Sequence, residues 1–361
     1  MYYKEYEILN YSPKFFVEVV DIQKYLWPAY TDNTAGYLKW KFEDNPFNKK
    51  FLGVVALYRG EVVGFIGLFV TQWRIGNKKD CILMLSPSDI CVHPDHRKKG
   101  LFSAMTAFTV GEFENTAYKA FIGLSINTSS GIVYQKMGWP KIADRTSARQ
   151  YSITGLINWA LTKKTGKSLL KNKINYGIFG NIEVSNKPRP EDMYSVIVKQ
   201  KTPDDKIVLC KDIDFLKWRF LNIRRKYFFY YHWKNGSIDG YVVIETVDNS
   251  TSGHVLDYAE TENGIIHELL QYIIRKKHFD ILSAWNFNLR EEFYQTLESL
   301  GFSATNLLVR IEKKFPSEFP MLPVFVKPAK KTCKEEDWFI EGIDIRDIKN
   351  WEINRICSDI T

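Results

Sequence analysis

The sequence predicts a mixed α/β (α+β) fold: a mixed, mostly antiparallel sheet flanked by helices, built as two similar units. Three observations lead there. Apolar, β-branched runs separated by short glycine turns fill the stretch before residue 95, the pattern of hairpins. The spacing then turns helical just after Gly100. An aromatic hexapeptide, Tyr37-Leu38-Lys39-Trp40-Lys41-Phe42, is echoed by Phe215-Leu216-Lys217-Trp218-Arg219-Phe220. A chain of 361 residues suits two domains of about 100–200 residues each.

In chain order, residues 12–30 suit a helix carrying Phe15, Phe16, Tyr25 and Leu26, and Asn45-Pro46 stops the hexapeptide region. Leu52–Tyr58 and Val62–Val70 form a hairpin about Arg59-Gly60, and Cys81–Val92 is a third strand ended by His93-Pro94. Leu101, Ala104, Met105 and Phe108 recur at three- and four-residue steps, so one helix face is buried. Ala120–Ser125 is a short buried strand. Asn127 caps a helix through Tyr134 and Met137, which Gly138 ends. In the second half, Tyr227–Trp233 and Ile238–Val247 make a hairpin about Asn235-Gly236, and Gly236/Gly240 repeat the spacing of Gly60/Gly64. The expected division is 1–150, a connector 151–195 with its own helix and strand, 196–312, and an extended segment 313–361 docked on the body. That segment holds Pro316, Pro320, Pro323 and Pro328, then the aromatics Trp338, Phe339 and Trp351.

Composition narrows the function. With 45% apolar and 15% aromatic residues the chain has ample material for packed cores. The net charge of +8 favours an anionic partner. Five cysteines, an odd number without C-x-x-C spacing, argue against a disulfide framework or a cysteine zinc site. The longest apolar stretch, 51–70, is broken by Arg59, Gly60 and Glu61, so no membrane span is expected. The first residues lack the order of a signal peptide, and a cytoplasmic location is expected.

The chemistry lies in Asp89-Ile90-Cys91-Val92-His93-Pro94-Asp95-His96-Arg97-Lys98-Lys99-Gly100-Leu101-Phe102, where a strand gives way to a basic turn and a helix begins at a glycine. The first N–H groups of a helix lack internal partners and sit at the positive end of its dipole. Glycine lets a phosphate approach the backbone, and Arg97, Lys98 and Lys99 add charge. The turn is therefore an anion site suited to a pyrophosphate, with neither the Walker nor the G-x-G-x-x-G order. Asp89 is costly inside an apolar strand unless used or paired, which makes it the first choice for a general base. Strict alternation puts Ser86, Ser88 and Ile90 on one face, and Asp89, Cys91 and His93 on the other. Cys91 reads as a small apolar core residue, and His93 and His96 have no third ligand nearby, so no metal is expected.

The run Val92 to Leu101 resembles the coenzyme A signature of the GNAT acyltransferases, with Arg97 and Gly100 in place and Phe102 where glycine or alanine is usual. Asn127-Thr128-Ser129-Ser130-Gly131-Ile132-Val133-Tyr134-Gln135-Lys136-Met137-Gly138-Trp139 resembles the family's second element. The resemblance is clear over 37–140 and degenerate over 215–302, where no basic glycine turn follows Val255-Leu256-Asp257-Tyr258. It implies a GNAT fold in tandem and an acyl-CoA co-substrate, acetyl-CoA or another. Backbone groups of Ile90, Cys91 and Val92 would meet the pantetheine arm, and the amides from Lys98 through Lys99, Gly100 and Leu101 to Phe102 the pyrophosphate. Asn127 would orient the cofactor, and Tyr134 would protonate the leaving thiolate. The expected acceptor is a small-molecule amine, an amino sugar of a nucleotide-linked surface-polysaccharide precursor, and not a nucleic acid. Two alternatives stand beside it: a Fem-type transferase using aminoacyl-tRNA, and a degenerate scaffold protein.

Overall fold

The computed structural model describes all residues except 49, 79, 152–154, 156, 159, 162–173, 201, 248–249, 305–321 and 359–361. Its strands in chain order are β1 (Tyr2–Tyr3), β2 (Tyr6–Asn10), β3 (Gly53–Tyr58), β4 (Glu61–Ile75), β5 (Ile82–Val92), β6 (Tyr118–Gly123), β7 (Lys141–Arg145), β8 (Ser147–Tyr151), β9 (Gly177–Phe179), β10 (Ile182–Ser185), β11 (Ile207–Leu209), β12 (Lys226–Lys234), β13 (Ser237–Thr246), β14 (Ser252–Glu260), β15 (Ile281–Trp285), β16 (Leu322–Pro328), β17 (Phe339–Ile340), β18 (Ile343–Asp344) and β19 (Trp351–Glu352). The helices are α1 (Phe16–Ile22), α2 (Thr34–Leu38), α3 (Leu101–Phe113), α4 (Thr128–Lys136), α5 (Pro190–Lys199), α6 (Ile213–Arg219), α7 (Ile265–Arg275) and α8 (Glu291–Ser299).

Two sheets organise the molecule. The first runs β1-β2-β3-β4-β5-β6-β16-β7, with β11 paired to the far end of β4 and to β19. The second runs β8-β15-β14-β13-β12-β10-β9. In both, an antiparallel hairpin leads to a strand, a crossover helix and a parallel neighbour: β3-β4-β5-α3-β6 and β12-β13-β14-α7-β15. These are two GNAT-like units. Both hairpins turn through consecutive positive-φ residues, Arg59-Gly60 and Asn235-Gly236, the turn whose twist matches paired strands.

The division expected at residue 150 does not follow the sheets. β8, which straddles the expected boundary, pairs with β15 of the second sheet, whereas β16 from the expected C-terminal segment lies between β6 and β7 of the first. Each unit is completed by a strand from the other half of the chain. The connector region contributes β9 and β10 to the second sheet, followed by α5. Pro316 and Pro320 lie outside the described residues. Pro323 pairs only with β7 and Pro328 only with β6, so each proline has a strand on one side alone.

The repeated hexapeptides are helical: α2 continues into a wide turn over Lys39–Glu43, and α6 carries the second copy. They meet at the centre. The Trp40 and Trp218 rings stack at 5.2 Å and 13°, and each indole N–H donates to the other's backbone carbonyl, at 3.0 and 2.7 Å. This reciprocal pair marks a local two-fold relation within a continuous inter-unit core that includes Phe69, Phe215, Tyr241, Val243 and Trp285. The C-terminal tail packs on that core through Ile345 and through Trp351, whose ring meets Trp73 edge-on at 5.2 Å.

Candidate active site

The site forms where β5 and β6 part. Their parallel pairing ends at Leu85↔Phe121. Beyond it β5 stays paired to β4, with a bulge between Gly67↔Ser88 and Phe65↔Cys91. Asp89 sits in that bulge at φ +49°, an uncommon conformation for a residue other than glycine. The extra residue breaks the expected alternation. Ser86 and Ser88 stand opposite Phe69 and Gly67, Cys91 opposite Phe65, all on the inter-unit face, whereas Ile90 turns to the α3 side.

A cavity of about 860 Å³ opens there, within the ~300–1,000 Å³ typical of ligand pockets. Every residue expected to bind cofactor lines it except Lys99: Ile90, Cys91, Val92, Arg97, Lys98, Gly100, Leu101, Phe102 and Asn127. Gly100 caps α3 at φ +84°, preceded by Lys98 at φ +60°, so the turn presents its amides inward. The first bond of the helix runs from the Ala104 N–H to the Gly100 carbonyl at 3.1 Å, which leaves the amides of Leu101 to Ser103 for the cleft. The Arg97 Nε donates to the Val92 carbonyl at 2.9 Å and pins the turn to the strand. Lys99 points away. Its carbonyl accepts from the Tyr3 hydroxyl at 3.3 Å and the Lys4 ammonium at 3.2 Å, so the N-terminal hairpin buttresses the turn. On the opposite wall the Asn127 side chain accepts from the Ser130 N–H at 2.8 Å and caps α4. This donor set, an open helix N-terminus beneath a basic turn, fits a pyrophosphate.

Sequence reasoning missed Tyr25, Leu26, His96, Ser103, Ser129, Ser130 and Val133 on the wall. Ser129 and Ser130 lie inside the quoted Asn127 motif and carried a signal. Tyr25 and Leu26 arrive from more than sixty residues upstream and carried none. Tyr25 is held by its hydroxyl on His93 Nε2 at 3.0 Å.

The two residues expected to be catalytic sit elsewhere. The Asp89 carboxylate turns away from the cleft. One oxygen meets the Lys41 ammonium at 2.7 Å and the other accepts from the Trp27 indole at 2.8 Å, with both charged side chains 0% exposed. Both carboxylate oxygens are thus committed to Lys41 and Trp27, and neither faces the cleft. Here they fix the bulge to α1 and α2, helped by Gln23, which donates to the Asp89 carbonyl at 2.9 Å. Tyr134 is 0% exposed and lies behind Phe102, edge-on at 5.4 Å, with Trp139 at 4.5 Å and Phe325 at 5.9 Å. It lines a small apolar hollow with Ile66, Pro87 and Phe121, not the cleft. The amphipathic spacing of α4 places Val133 outward and Tyr134 inward. Burial pushes the Cys91 thiol up to about 11, so it stays protonated near neutral pH. Burial, Lys99 and His93 push His96 down, favouring the neutral ring. No group of three metal-ligating side chains occurs among the described residues.

Residues 7–142 match the family described as the acetyltransferase (GNAT) domain. Solved structures share the fold over most of the chain. A probable N-acyltransferase of unknown function from Enterococcus faecalis V583 is 11% identical, with a TM-score of 0.56 over 90% of this chain and 73% of that one. A GCN5-related N-acetyltransferase from Anabaena variabilis is 11% identical, with a TM-score of 0.58 and the same coverages. A tandem GNAT protein from the clavulanic acid biosynthesis pathway is 12% identical, with a TM-score of 0.53 over 90% of this chain and 99% of that one. No curated protein matches. Fold and cleft together define the class: a tandem GNAT fold, with residues 7–142 of the first unit similar to the acetyltransferase (GNAT) domain.

Proposed function

We propose that this chain is an acyl-CoA-dependent N-acyltransferase that moves an acetyl or short acyl group to a primary amine, and that the amine belongs to an amino sugar of a nucleotide-linked surface-polysaccharide precursor. The observation that carries the reading is the cleft between β5 and the α3 turn, where the anion-binding amides of residues 100–103, Arg97, Lys98 and Asn127 face one cavity. When bound, acyl-CoA supplies the activated carbonyl.

The residues divide the remaining work. The turn amides and Lys98 hold the pyrophosphate. Backbone groups of Ile90–Val92, which have no strand partner on the cleft side, align the pantetheine arm. Phe102, backed by Tyr134, closes the inner wall and excludes water. A protonated Cys91 supports direct attack by the amine over a cysteinyl intermediate. Thiols titrate at about 8.5, so a thiolate can leave near neutral pH without a positioned acid. The amine must be neutral to attack.

The test is calorimetric titration with acetyl-CoA. The wild type should bind one equivalent. Gly100→Glu, which sets a carboxylate on the anion seat, should weaken binding at least about a hundredfold. Gly100→Ala shares the strain of a side chain at φ +84° beside the Tyr3 hydroxyl without the charge, and should stay within about tenfold. No binding to well-folded wild type would sink the reading.

A further inference from the structure

Two thiols meet at the end of the first sheet farthest from the cleft. Cys81 directly precedes β5 and Cys210 directly follows β11, the strands on either side of the far end of β4. Trp73 of β4 pairs with Ile82 on one side and with Leu209 on the other. One residue beyond those pairs, the Sγ atoms of Cys81 and Cys210 stand 2.9 Å apart. The backbone holds them there. The Cys210 N–H donates to the Gln72 carbonyl at 2.9 Å and the Gly76 N–H to the Lys206 carbonyl at 2.7 Å. The Asn77 side chain donates to the Thr202 carbonyl at 3.0 Å. Gly76 lies at φ +54°, and a Cβ there would come within 2.6 Å of the Asp204 Cα, so the β4–β5 turn is pressed against the chain leading into β11. The remaining sulfurs face oxygen or nitrogen. Cys91 donates to the Ile22 carbonyl at 3.3 Å, Cys357 to Asn354 Oδ1 at 3.3 Å, and Cys333 meets the Lys327 ammonium at 3.1 Å.

The two thiols differ in access. Cys81 is exposed, whereas Cys210 is buried behind it. Burial, and then the hydrogen bond to Cys81, push the Cys210 thiol well up, by more than the nearby Arg74 guanidinium pulls it down. Access and thiolate character decide which cysteine an oxidant reaches. An oxidant in solution therefore meets Cys81, with Cys210 placed as the thiol that resolves the product. The pair also joins distant parts of the chain. Cys81 lies in the first unit, and Cys210 stands three residues before α6, which carries Trp218 of the central tryptophan pair. A bond between them would close a loop running from β5 through α5 to β11, long enough to restrict the unfolded chain strongly.

We propose that Cys81 and Cys210 are a reversible oxidation site, closed by hydrogen peroxide to a disulfide that ties the first sheet to the chain entering α6. The Cys81 sulfur attacks one peroxide oxygen. The O–O bond breaks, the departing oxygen takes the Cys81 proton as water, and Cys81 becomes a sulfenic acid. The Cys210 sulfur then attacks the Cys81 sulfur. The S–S bond forms, the S–O bond breaks, and the hydroxide leaves with the Cys210 proton as a second water. The two sulfurs lose two electrons and the peroxide gains them; a dithiol reductant returns both by exchange. The site is independent of the acyltransferase reading.

The test treats the full-length wild type with hydrogen peroxide and titrates its thiols in denaturant. Two of the five thiols should disappear, and the intact mass should fall by two hydrogens. Peptide mapping without reductant should find the Cys81 and Cys210 peptides joined, and dithiothreitol should restore both thiols. The thermal midpoint of the oxidised protein should rise by about 5 °C or more over the reduced one. Cys81→Ser, at an exposed position that tolerates the change, should form no internal disulfide and show no rise. Cys210→Ala removes the resolving thiol and should leave Cys81 as a sulfenic acid that dimedone traps. Persistence of all five thiols, a cross-link joining another pair, or oxygen added to wild-type Cys81 without a disulfide would overturn the proposal. So would a Cys81–Cys210 cross-link without a rise in the midpoint, because the sulfurs would then meet only by distorting the fold.

Discussion

The first unit leaves its helix N-terminus open, whereas the second fills its own. Gly100 caps α3 at φ +84° and Gly264 caps α7 at φ +104°, so the backbone devices correspond. Before Gly100 stand Arg97, Lys98 and Lys99; before Gly264 stand Glu260, Thr261, Glu262 and Asn263. The Glu260 carboxylate accepts from the Ile266 N–H at 2.9 Å and feels the amides of Ile265 and Gly264, sitting where an anionic ligand would. The gap beside β14 is closed as well. Asn354 donates to Asp257 at 2.7 Å, Arg290 pairs with Glu352 at 2.5 Å, and Asn288 bonds the Trp351 carbonyl. The same strand-turn-helix geometry thus borders an open cleft in one unit and is a packed joint in the other. The difference is made by the sign of three or four side chains and by a tail laid into the gap.

The comparison can be broken first at its centre. If Trp40 and Trp218 are equivalent halves of one contact, Trp40→Ala and Trp218→Ala should each cost about 3–5 kcal/mol in chemical unfolding, and the double variant much less than their sum. Unequal costs or full additivity would show the reciprocity to be superficial. Acid should separate the units next. Burial and Lys276 push His278 of the second unit down to about 4, below its unfolded value near 6.5. The neutral ring is favoured by folding, so its contribution is present above pH 6.5 and lost as pH falls toward 4. Stability should drop by about 2 kcal/mol between pH 7 and pH 5, and His254 shifts in the same direction. His278→Gln should flatten that slope. The smallest effect sharpens the contrast itself. Glu260→Ala removes a carboxylate from a helix N-terminus and should cost about 1 kcal/mol of stability. It should leave the acetyl-CoA stoichiometry at one, because the tail still fills the second gap. A second equivalent bound would contradict that account.

Much of this was legible in the sequence, for local reasons. Hairpin turns at Arg59-Gly60 and Asn235-Gly236, the cap at Gly100 and the cap at Asn127 are decided by residues within a few positions of one another. The expected cofactor-binding residues other than Lys99 do line the cleft, but Tyr25 and Leu26, which arrive from far upstream, did not follow from any local signal. The strand exchange was not legible, because β8 and β16 are short extended segments whose partners lie more than a hundred residues away in sequence. The bulge at Asp89 defeated an argument from alternation, which holds only while register is unbroken. Asp89 itself was rightly marked as a carboxylate needing a partner. That partner, Lys41, lies in the repeated hexapeptide, whose bearing on this strand only the tertiary structure reveals. Tyr134 illustrates the same limit: its position on α4 is local, but Phe102, which stands between it and the cleft, comes from another helix.

The exchanged strands also give the chain a history. On the ribosome, β6 and β7 emerge roughly 180 residues before β16, the strand that must lie between them, so at about 5–20 residues per second the first sheet waits roughly 10–35 s for its missing member. During that time the β6 edge is an exposed, apolar pairing surface, of the kind that recruits neighbouring chains when left uncovered. Completion of the first sheet is therefore timed by synthesis of the other half, and a nascent chain halted before residue 322 carries the α3 turn on a sheet that lacks the strand between β6 and β7.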